Sequence, residues 1–186
     1  MRRLGPADYR EMPWKNGGGT TTELHVSHDK PERFGWRASI ATVAADGPFS
    51  LFPGYDRHIL CIEGRGFILA GGPFGDLVVG ADFQPRSFSG DWQITGRLID
   101  GTSRDFNLIA DRQRFGSSLD CLGFDGDHVI AAREAHGLVF VLQGSCRFDA
   151  GQLSANDALV LEPGETVRLT GAARIVLARV WRLPAA

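Results

Sequence analysis

The chain has 186 residues, of which 43% are hydrophobic and 23% are charged, so it is long enough and apolar enough to fold around a core. Its 20 basic and 22 acidic residues leave a formal net charge of -2, which gives no electrostatic reason to expect nucleic acid or an anionic membrane as a partner. No apolar run approaches the roughly 20 residues of a membrane span, and no signal peptide follows Arg2-Arg3, so we expect a cytoplasmic protein without membrane contact.

Short runs of β-branched and aromatic residues, separated by 24 glycines and 9 prolines, continue through the chain. Almost no stretch keeps a helical period, and the dense spacing of the runs predicts an all-β protein built as a sandwich or barrel. The predicted strands, in chain order, are Thr20–His25, Trp36–Val43, His58–Ile62, Phe67–Ala70, Leu77–Val79, Arg97–Ile99, Asp105–Ala110, His128–Ala132, Leu138–Leu142, Cys146–Asp149, Ala158–Leu161, Thr166–Leu169 and Arg174–Trp181.

A weak internal repeat refines this fold class. The segments His58–Leu69 and Leu138–Phe148 each contain an apolar run, a glycine and a second apolar run, and a proline follows each copy at a similar distance. Two such copies predict a bicupin, which consists of two tandem double-sheet jelly-roll barrels. We expect one cupin-like barrel in residues 1–116 and the other in residues 117–186, packed as a single compact unit in which the halves are free to exchange strands.

The most unusual stretch contains Trp14, Lys15 and Asn16, followed directly by Gly17–Gly19. Its order does not match a phosphate-binding loop, and a strand rather than a helix follows it. One interpretation is a tight turn, because Asn and Gly tolerate positive φ. The other is a binding loop, in which the glycines bring the backbone close to a ligand and the three preceding residues supply a ring, a cation and an amide.

Period-two alternation assigns several polar residues to strand faces. It places Glu23 on a polar face of its strand, Ser39 on the same face as Arg37, and Asp105 on the same face as Asn107. Each polar face either meets solvent or lines the interior of a barrel. Asn107, in particular, either donates to a ligand oxygen or closes a turn.

Arg57 stands where metal-binding cupins carry a ligand. Their metal-binding glutamate lies about seven residues before the glycine turn, and here that count from Gly64 falls on Arg57. A guanidinium has no lone pair to donate, so we predict no metal. Its planar fork suits a carboxylate instead, with a salt bridge to Asp56 or Asp105 as the alternative.

Six short motifs, in this order, are similar to those of the HutD/Ves family and cover nearly the whole chain. They are Pro13-Trp-Lys-Asn-Gly-Gly-Gly19 with Thr22-Glu23, Trp36-Arg37-x-Ser39, Gly47-Pro-Phe-Ser50, Phe52-Pro-Gly-x-Asp-Arg57, Phe88-x-Gly-Asp91 and Asp105-Phe-Asn107. The resemblance implies a bicupin fold, a cytoplasmic location and a role in limiting or tuning histidine utilisation. It also implies a pocket for a small carboxylate such as a formylated or formimino glutamate, and no metal or cofactor.

We therefore predict a non-enzymatic protein that binds a small anionic metabolite, formylglutamate-like or formate-like, in a basic pocket. No catalytic residue is assigned, and a homodimer is left open. One alternative is a metal-independent cupin enzyme, a hydrolase or isomerase of a histidine-degradation intermediate, with Glu23 as general base and His58 as acid. Another is a regulator that acts only by binding protein. The candidate ligand-binding residues are Trp14, Lys15, Asn16, Glu23, Ser39, Arg57, His58 and Asn107.

Overall fold

The computed structural model of the chain describes residues 1–14, 17–30 and 33–184. These residues form an all-β protein with a single 3-10 turn, Pro6–Asp8. No helix in the described part of the chain is long and apolar enough to cross a membrane. The strands are β1 (Arg2–Leu4), β2 (Arg10–Pro13), β3 (Gly19–Lys30), β4 (Arg33–Val43), β5 (Gly47–Pro48), β6 (Tyr55–Glu63), β7 (Gly66–Ala70), β8 (Leu77–Gly80), β9 (Arg86–Ser89), β10 (Thr95–Leu98), β11 (Ser103–Asp111), β12 (Phe115–Ala131), β13 (Ala135–Phe148), β14 (Gly151–Ser154), β15 (Ala158–Leu161) and β16 (Thr166–Arg182).

The chain divides into two compact units. The first, Arg10–Phe115, contains a six-stranded sheet in the order β2-β3-β4-β11-β6-β9 and a four-stranded sheet in the order β5-β10-β7-β8. The second combines Gly116–Ala186 with Met1–Tyr9, because β1 pairs with β15 in the sheet β1-β15-β13-β16-β12, and β14 joins that sheet on β13. We call them the 10–115 unit and the 116–186 unit.

The core of the 10–115 unit lies between its two sheets. Strands of the six-stranded sheet contribute Ile59, Cys61 and Phe88, while β7 contributes Phe67 and Leu69. Those of β6 and of β7 are two positions apart, so alternate side chains of each apolar run enter this core. Next to Phe88 of this cluster, the same face of the six-stranded sheet carries polar residues, and there the candidate site lies.

The 116–186 unit departs from the predicted strand boundaries. Leu138–Leu142 and Cys146–Asp149 were expected as two strands around a glycine turn, but β13 runs through Gly144 without reversing. Likewise, Thr166–Leu169 and Arg174–Trp181 belong to one strand, β16. Pairing between these two long strands overrides the tendency of glycine to end a strand, and a bulge near Leu142 absorbs the irregularity.

Gly144 offers a test of this pairing. Its φ is +77°, and a Cβ there would overlap the carbonyl oxygen of Ala172 on β16. Gly126 has a φ of +99° but open space around it, so Gly126→Ala tests the backbone conformation alone. We expect Gly144→Ala to lower the free energy of unfolding by about 1–3 kcal/mol more than Gly126→Ala, measured by urea denaturation. Equal losses would show that β16 moves aside freely.

Candidate functional site

A cavity of about 530 Å³ opens on one face of the six-stranded sheet of the 10–115 unit. Thr21 on β3 and Ser39 on β4 contribute to its floor, and the segment from Pro48 to Phe52 forms part of its wall. Trp14, which follows β2, also lines the cavity. The full set of described lining residues is Pro13, Trp14, Thr21, Arg37, Ser39, Ala41, Pro48, Phe49, Ser50, Phe52, Arg57, Asn107 and Ile109.

Strand register brings two arginines to the same face. Ile109 on β11 lies opposite Arg37 of β4 on one side and opposite Arg57 of β6 on the other. Because neighbouring strands are about 4.8 Å apart, the Cα atoms of the two arginines are separated by about 10 Å. Both guanidinium groups therefore reach one cavity from strands that are not adjacent to each other.

Arg57 is buried, with 5% of its surface exposed. Its Nη1 donates to the carbonyl oxygen of Ser50 over 3.2 Å, and its Nη2 donates to Oδ1 of Asn107 over 3.0 Å. Its Nε has no hydrogen-bond partner among the described residues. Burial lowers the pKa of Arg57 to about 10, an effect that Asp105 opposes and Arg37 reinforces. The side chain thus remains charged at neutral pH and lines the cavity without a direct hydrogen bond to a carboxylate among the described residues.

Three phenylalanine rings hold the Arg57 guanidinium in place. Its Cζ lies 4.8 Å from the ring centre of Phe88, 5.3 Å from that of Phe52 and 5.6 Å from that of Phe49. A guanidinium plane stacks well on aromatic faces, and the rings restrict the rotamers of a long side chain. The cation is consequently positioned before any ligand arrives.

Arg37 is the second cation of the cavity. Its Cζ lies 5.2 Å from the ring centre of Phe52 and 5.4 Å from that of Phe34, so Phe52 contacts both guanidinium groups. Burial lowers the pKa of Arg37, and the negative charge of Glu23 acts in the opposite direction. Its Nε also lacks a hydrogen-bond partner among the described residues. Two like charges line one cavity and lower each other's stability, which favours an anion between them.

A buried carboxyl group lies beside the cavity, on the same face of β11 as Asn107. Asp105 is completely buried, and its Oδ2 accepts a hydrogen bond from Nδ2 of Asn107. The other oxygen, Oδ1, has no hydrogen-bond partner in the described part of the chain. Burial raises the pKa of Asp105 to about 7, although the charge of Arg57 and the hydrogen bond from Asn107 both lower it. Asn107 therefore connects a carboxyl group on one side to a guanidinium on the other.

Trp14 is fixed over the cavity by local hydrogen bonds. Its indole Nε1 donates to Oγ1 of Thr21 over 2.8 Å, and its backbone N–H donates to the carbonyl of Gly19 over 2.9 Å. Its own carbonyl accepts from the N–H of Gly17, whose φ is +72°. A Cβ on Gly19 would overlap the carbonyl oxygen of Thr42. The backbone around Gly17 and Gly19 thus places the indole beside the cavity, whereas the cation and amide of the binding-loop interpretation, Lys15 and Asn16, lie outside the described residues.

The structure distributes the eight predicted site residues unequally. Trp14, Ser39, Arg57 and Asn107 line the cavity. Lys15 and Asn16 lie outside the described residues. The remaining two, Glu23 and His58, do not belong to the described lining of the cavity.

Glu23 and His58 take other positions. Glu23, on β3, lies opposite Ser39 of β4. Its negative charge acts on Arg37, but it is not among the described residues that line the cavity. The imidazole Nδ1 of His58 is 2.7 Å from the hydroxyl of Ser87, on the face of β6 opposite to Arg57. A general base and a general acid must reach the same substrate, and these two side chains do not share the cavity.

Two features of the site were not among the predicted residues. Arg37 could have been found from the alternation that places it beside Ser39 on one face. Phe52 lies within the motif that ends at Arg57, but nothing in its local sequence indicates that its ring contacts two arginines. Within the described residues there is no cluster of three or more His, Cys, Asp or Glu side chains that could hold a metal.

Comparison with known proteins identifies relatives over most of the chain. The HutD family model matches residues 6–178. A 21.2 kDa protein from the hutC 3′ region of Pseudomonas putida is 38% identical over 143 residues, which are 75% of this chain and 73% of that protein. Protein Ves of Citrobacter koseri is 33% identical over 169 residues, covering 87% of this chain and 85% of Ves.

Two solved structures are also similar to this chain, one of them a HutD protein. HutD from Pseudomonas fluorescens, determined in a formate condition, has a TM-score of 0.83 and 33% identity, and 98% of each chain is covered. A variant of oxalate decarboxylase from Bacillus subtilis has a TM-score of 0.66 at 8% identity, with 97% of this chain and 76% of that chain covered. The latter similarity concerns the fold alone, and it supports a cupin-like architecture.

Proposed function

This chain belongs to the HutD family, and from that premise we propose that it is a non-enzymatic protein that binds a small carboxylate and thereby tunes or limits histidine utilisation. The observation that carries the proposal is Arg57, a buried and charged side chain that lines a cavity together with Arg37 and whose hydrogen bonds go to two neutral oxygens. A buried guanidinium without a carboxylate partner is costly, and an anionic ligand would supply that partner.

The shape and lining of the cavity narrow the ligand class. Its volume of about 530 Å³ exceeds what formate fills and suits a molecule of the size of an acylated amino acid. Trp14, Phe49 and Phe52 offer apolar surface for the body of the ligand, while Ser39 offers a hydroxyl. We propose a formylglutamate-like ligand that presents a carboxylate to Arg57, with formate as its smallest analogue. The formate condition of the Pseudomonas fluorescens structure motivates the choice of formate as a probe.

The biological setting of the proposal comes from the relatives. One of them is encoded in the hutC 3′ region, which associates the family with genes of histidine utilisation. The cysteines are free, as expected for a protein of a reducing compartment, and a cytoplasmic location is part of the proposal. So is the bicupin arrangement, in which each unit forms a jelly-roll barrel, and the similarity to oxalate decarboxylase supports it.

A thermal-shift screen tests the proposal. The purified protein is heated with formate, N-formylglutamate, formiminoglutamate, urocanate or histidine, and with formamide as the uncharged analogue of formate. A ligand at about 100 times its Kd stabilises a protein by about 2.7 kcal/mol, which for a chain of this size raises Tm by about 5–10 °C. We expect such a shift with at least one carboxylate and none with formamide.

Other outcomes would contradict it. If no carboxylate raises Tm, the cavity does not bind this ligand class, and a regulator that acts by binding protein becomes the better hypothesis. If formamide raises Tm as much as formate does, the negative charge is not recognised and the role of Arg57 is wrong. Consumption of a ligand during incubation, followed by proton NMR, would favour the enzyme alternative.

A further inference from the structure

Asp105 is placed where it can respond to the ligand without touching it. It does not line the cavity, and its side chain is completely buried. Through Asn107 it is nevertheless connected to Arg57, since the amide of Asn107 donates to Asp105 with Nδ2 and accepts from Arg57 with Oδ1. Carboxyl, amide and guanidinium groups thus form one row from the interior to the cavity.

Among the described residues, Arg57 is the charged group that acts on Asp105 directly, and further groups on three strands are linked to Asp105 through Arg57 or lie beside it. From β6, Arg57 stabilises its negative charge, while Cys61, whose pKa burial raises, is destabilised as a thiolate by that charge. From β4, Arg37 acts on Arg57, and from β3, Glu23 acts on Arg37. No histidine is among the described residues that line the cavity. Between pH 6 and pH 8.5, Asp105 is therefore the member of this set that changes its charge.

An anion at Arg57 changes the balance of charge in this row. In the empty cavity, Arg57 partly neutralises an ionised Asp105. When a carboxylate binds Arg57 from the cavity side, two negative charges share one guanidinium across a poorly hydrated interior. One proton from solvent relieves the conflict by converting Asp105 to a neutral carboxylic acid. Oδ1, which has no hydrogen-bond partner among the described residues, is free to carry it, and Oδ2 keeps its bond from Asn107.

We propose that the binding of a carboxylate in the Arg57 cavity is coupled to the uptake of one proton by Asp105. This inference rests on the function proposed above and adds its regulation: the protein binds its ligand more tightly as pH falls. The linkage between the two sites is reciprocal, so the ligand also makes Asp105 harder to ionise. Occupancy then reports both the ligand concentration and the pH.

The test is a titration with formate, which stays ionised throughout the range used. Kd is measured by NMR at pH 6.0, 7.0, 8.0 and 8.5 for the wild type, for Asp105→Asn and for Asp157→Asn. Asp157 is a buried carboxylate of the 116–186 unit, paired with Arg3 at 3.0 Å, and serves as the matched control. One coupled proton changes Kd by up to about tenfold per pH unit. We expect at least about a tenfold rise in Kd from pH 6.0 to 8.5 in the wild type and in Asp157→Asn.

The Kd of Asp105→Asn for formate should change by no more than about twofold between pH 6.0 and pH 8.5, because the amide imitates the protonated acid. A second readout needs no variant: the ¹³Cγ resonance of Asp105 in the wild type should titrate at higher pH when formate is present. A wild-type Kd that does not change with pH, or a dependence that persists in Asp105→Asn, would refute the coupling while leaving the anion site intact. Absence of saturable binding of both formate and N-formylglutamate at pH 6.0 would refute both the site and the coupling.

Discussion

Arg57→Ala is expected to weaken the binding of formate and N-formylglutamate by at least about thirty-fold, which corresponds to about 2 kcal/mol. The side chain is buried, held by three phenylalanine rings and paired with two neutral oxygens, so its charge is not neutralised by a direct contact with a carboxylate. Alanine removes the donor fork and leaves the ligand carboxylate desolvated. Isothermal titration calorimetry at pH 7 measures the change.

Two further variants separate the chemistry from the packing. Arg57→Lys keeps a charge but loses the planar fork, so it should bind more tightly than Arg57→Ala and more weakly than the wild type. Arg97→Ala serves as the control, because Arg97 is exposed and pairs with Asp76 at 2.8 Å outside the cavity. It should bind as the wild type does. If folded Arg57→Ala retains the wild-type affinity within threefold, Arg57 is not the anchor.

The sequence indicates the fold class and the faces of individual strands because both depend on local alternation. Asp105 and Asn107 were expected on one face of their strand, and the structure has them hydrogen-bonded to each other. Arg37 and Ser39 were likewise expected together, and both line the cavity. The period of two residues is a property of the extended chain itself, so it needs no knowledge of the neighbouring strands.

The assembly of the site depends on contacts that local patterns do not contain. Arg57 and Asn107 are separated by fifty positions, and they meet because β6 and β11 pair in a register that places Asn107 opposite Ile59. A shift of that register by one residue would turn Asn107 away from the cavity. The position of Phe52 between two arginines depends on a loop, whose N–H at Phe52 donates to the carbonyl of Gly90 over 2.8 Å.

His58, by contrast, could have been excluded from the sequence itself. It follows Arg57 directly, and proximity in sequence made it a candidate for the same site. In a strand, however, successive side chains point to opposite faces, and His58 contacts Ser87 on β9. Arg57 and the residues two positions apart from it share the cavity face, so the alternation rule applied to this strand would have excluded His58.

The free energy of unfolding of Asp105→Asn is expected to rise relative to that of the wild type as pH rises from 4 to 8. The pKa of Asp105 is about 7 in the folded chain, against about 4 for an aspartate in an unfolded chain. Between these values the folded state holds a proton that the unfolded state has released, so the free energy of unfolding of the wild type falls as pH rises through this window. The difference corresponds to about 4 kcal/mol, and it disappears when asparagine removes the titrating group.

Urea denaturation at pH 4.5, 6 and 8, followed by tryptophan fluorescence, measures the free energy of unfolding. Three of the four tryptophans, Trp14, Trp36 and Trp92, lie in the 10–115 unit. Asp91→Asn is the control of opposite character, because a hydrogen bond from the N–H of Gly54 and others from Ser89 and Arg112 lower the pKa of Asp91. That variant should be destabilised by the same amount at pH 6 and pH 8. If Asp105→Asn differs from the wild type by a constant amount across the range, Asp105 is ionised throughout that range. The raised pKa of Asp105 is then wrong, and the proposed coupling of its proton to the ligand fails with it.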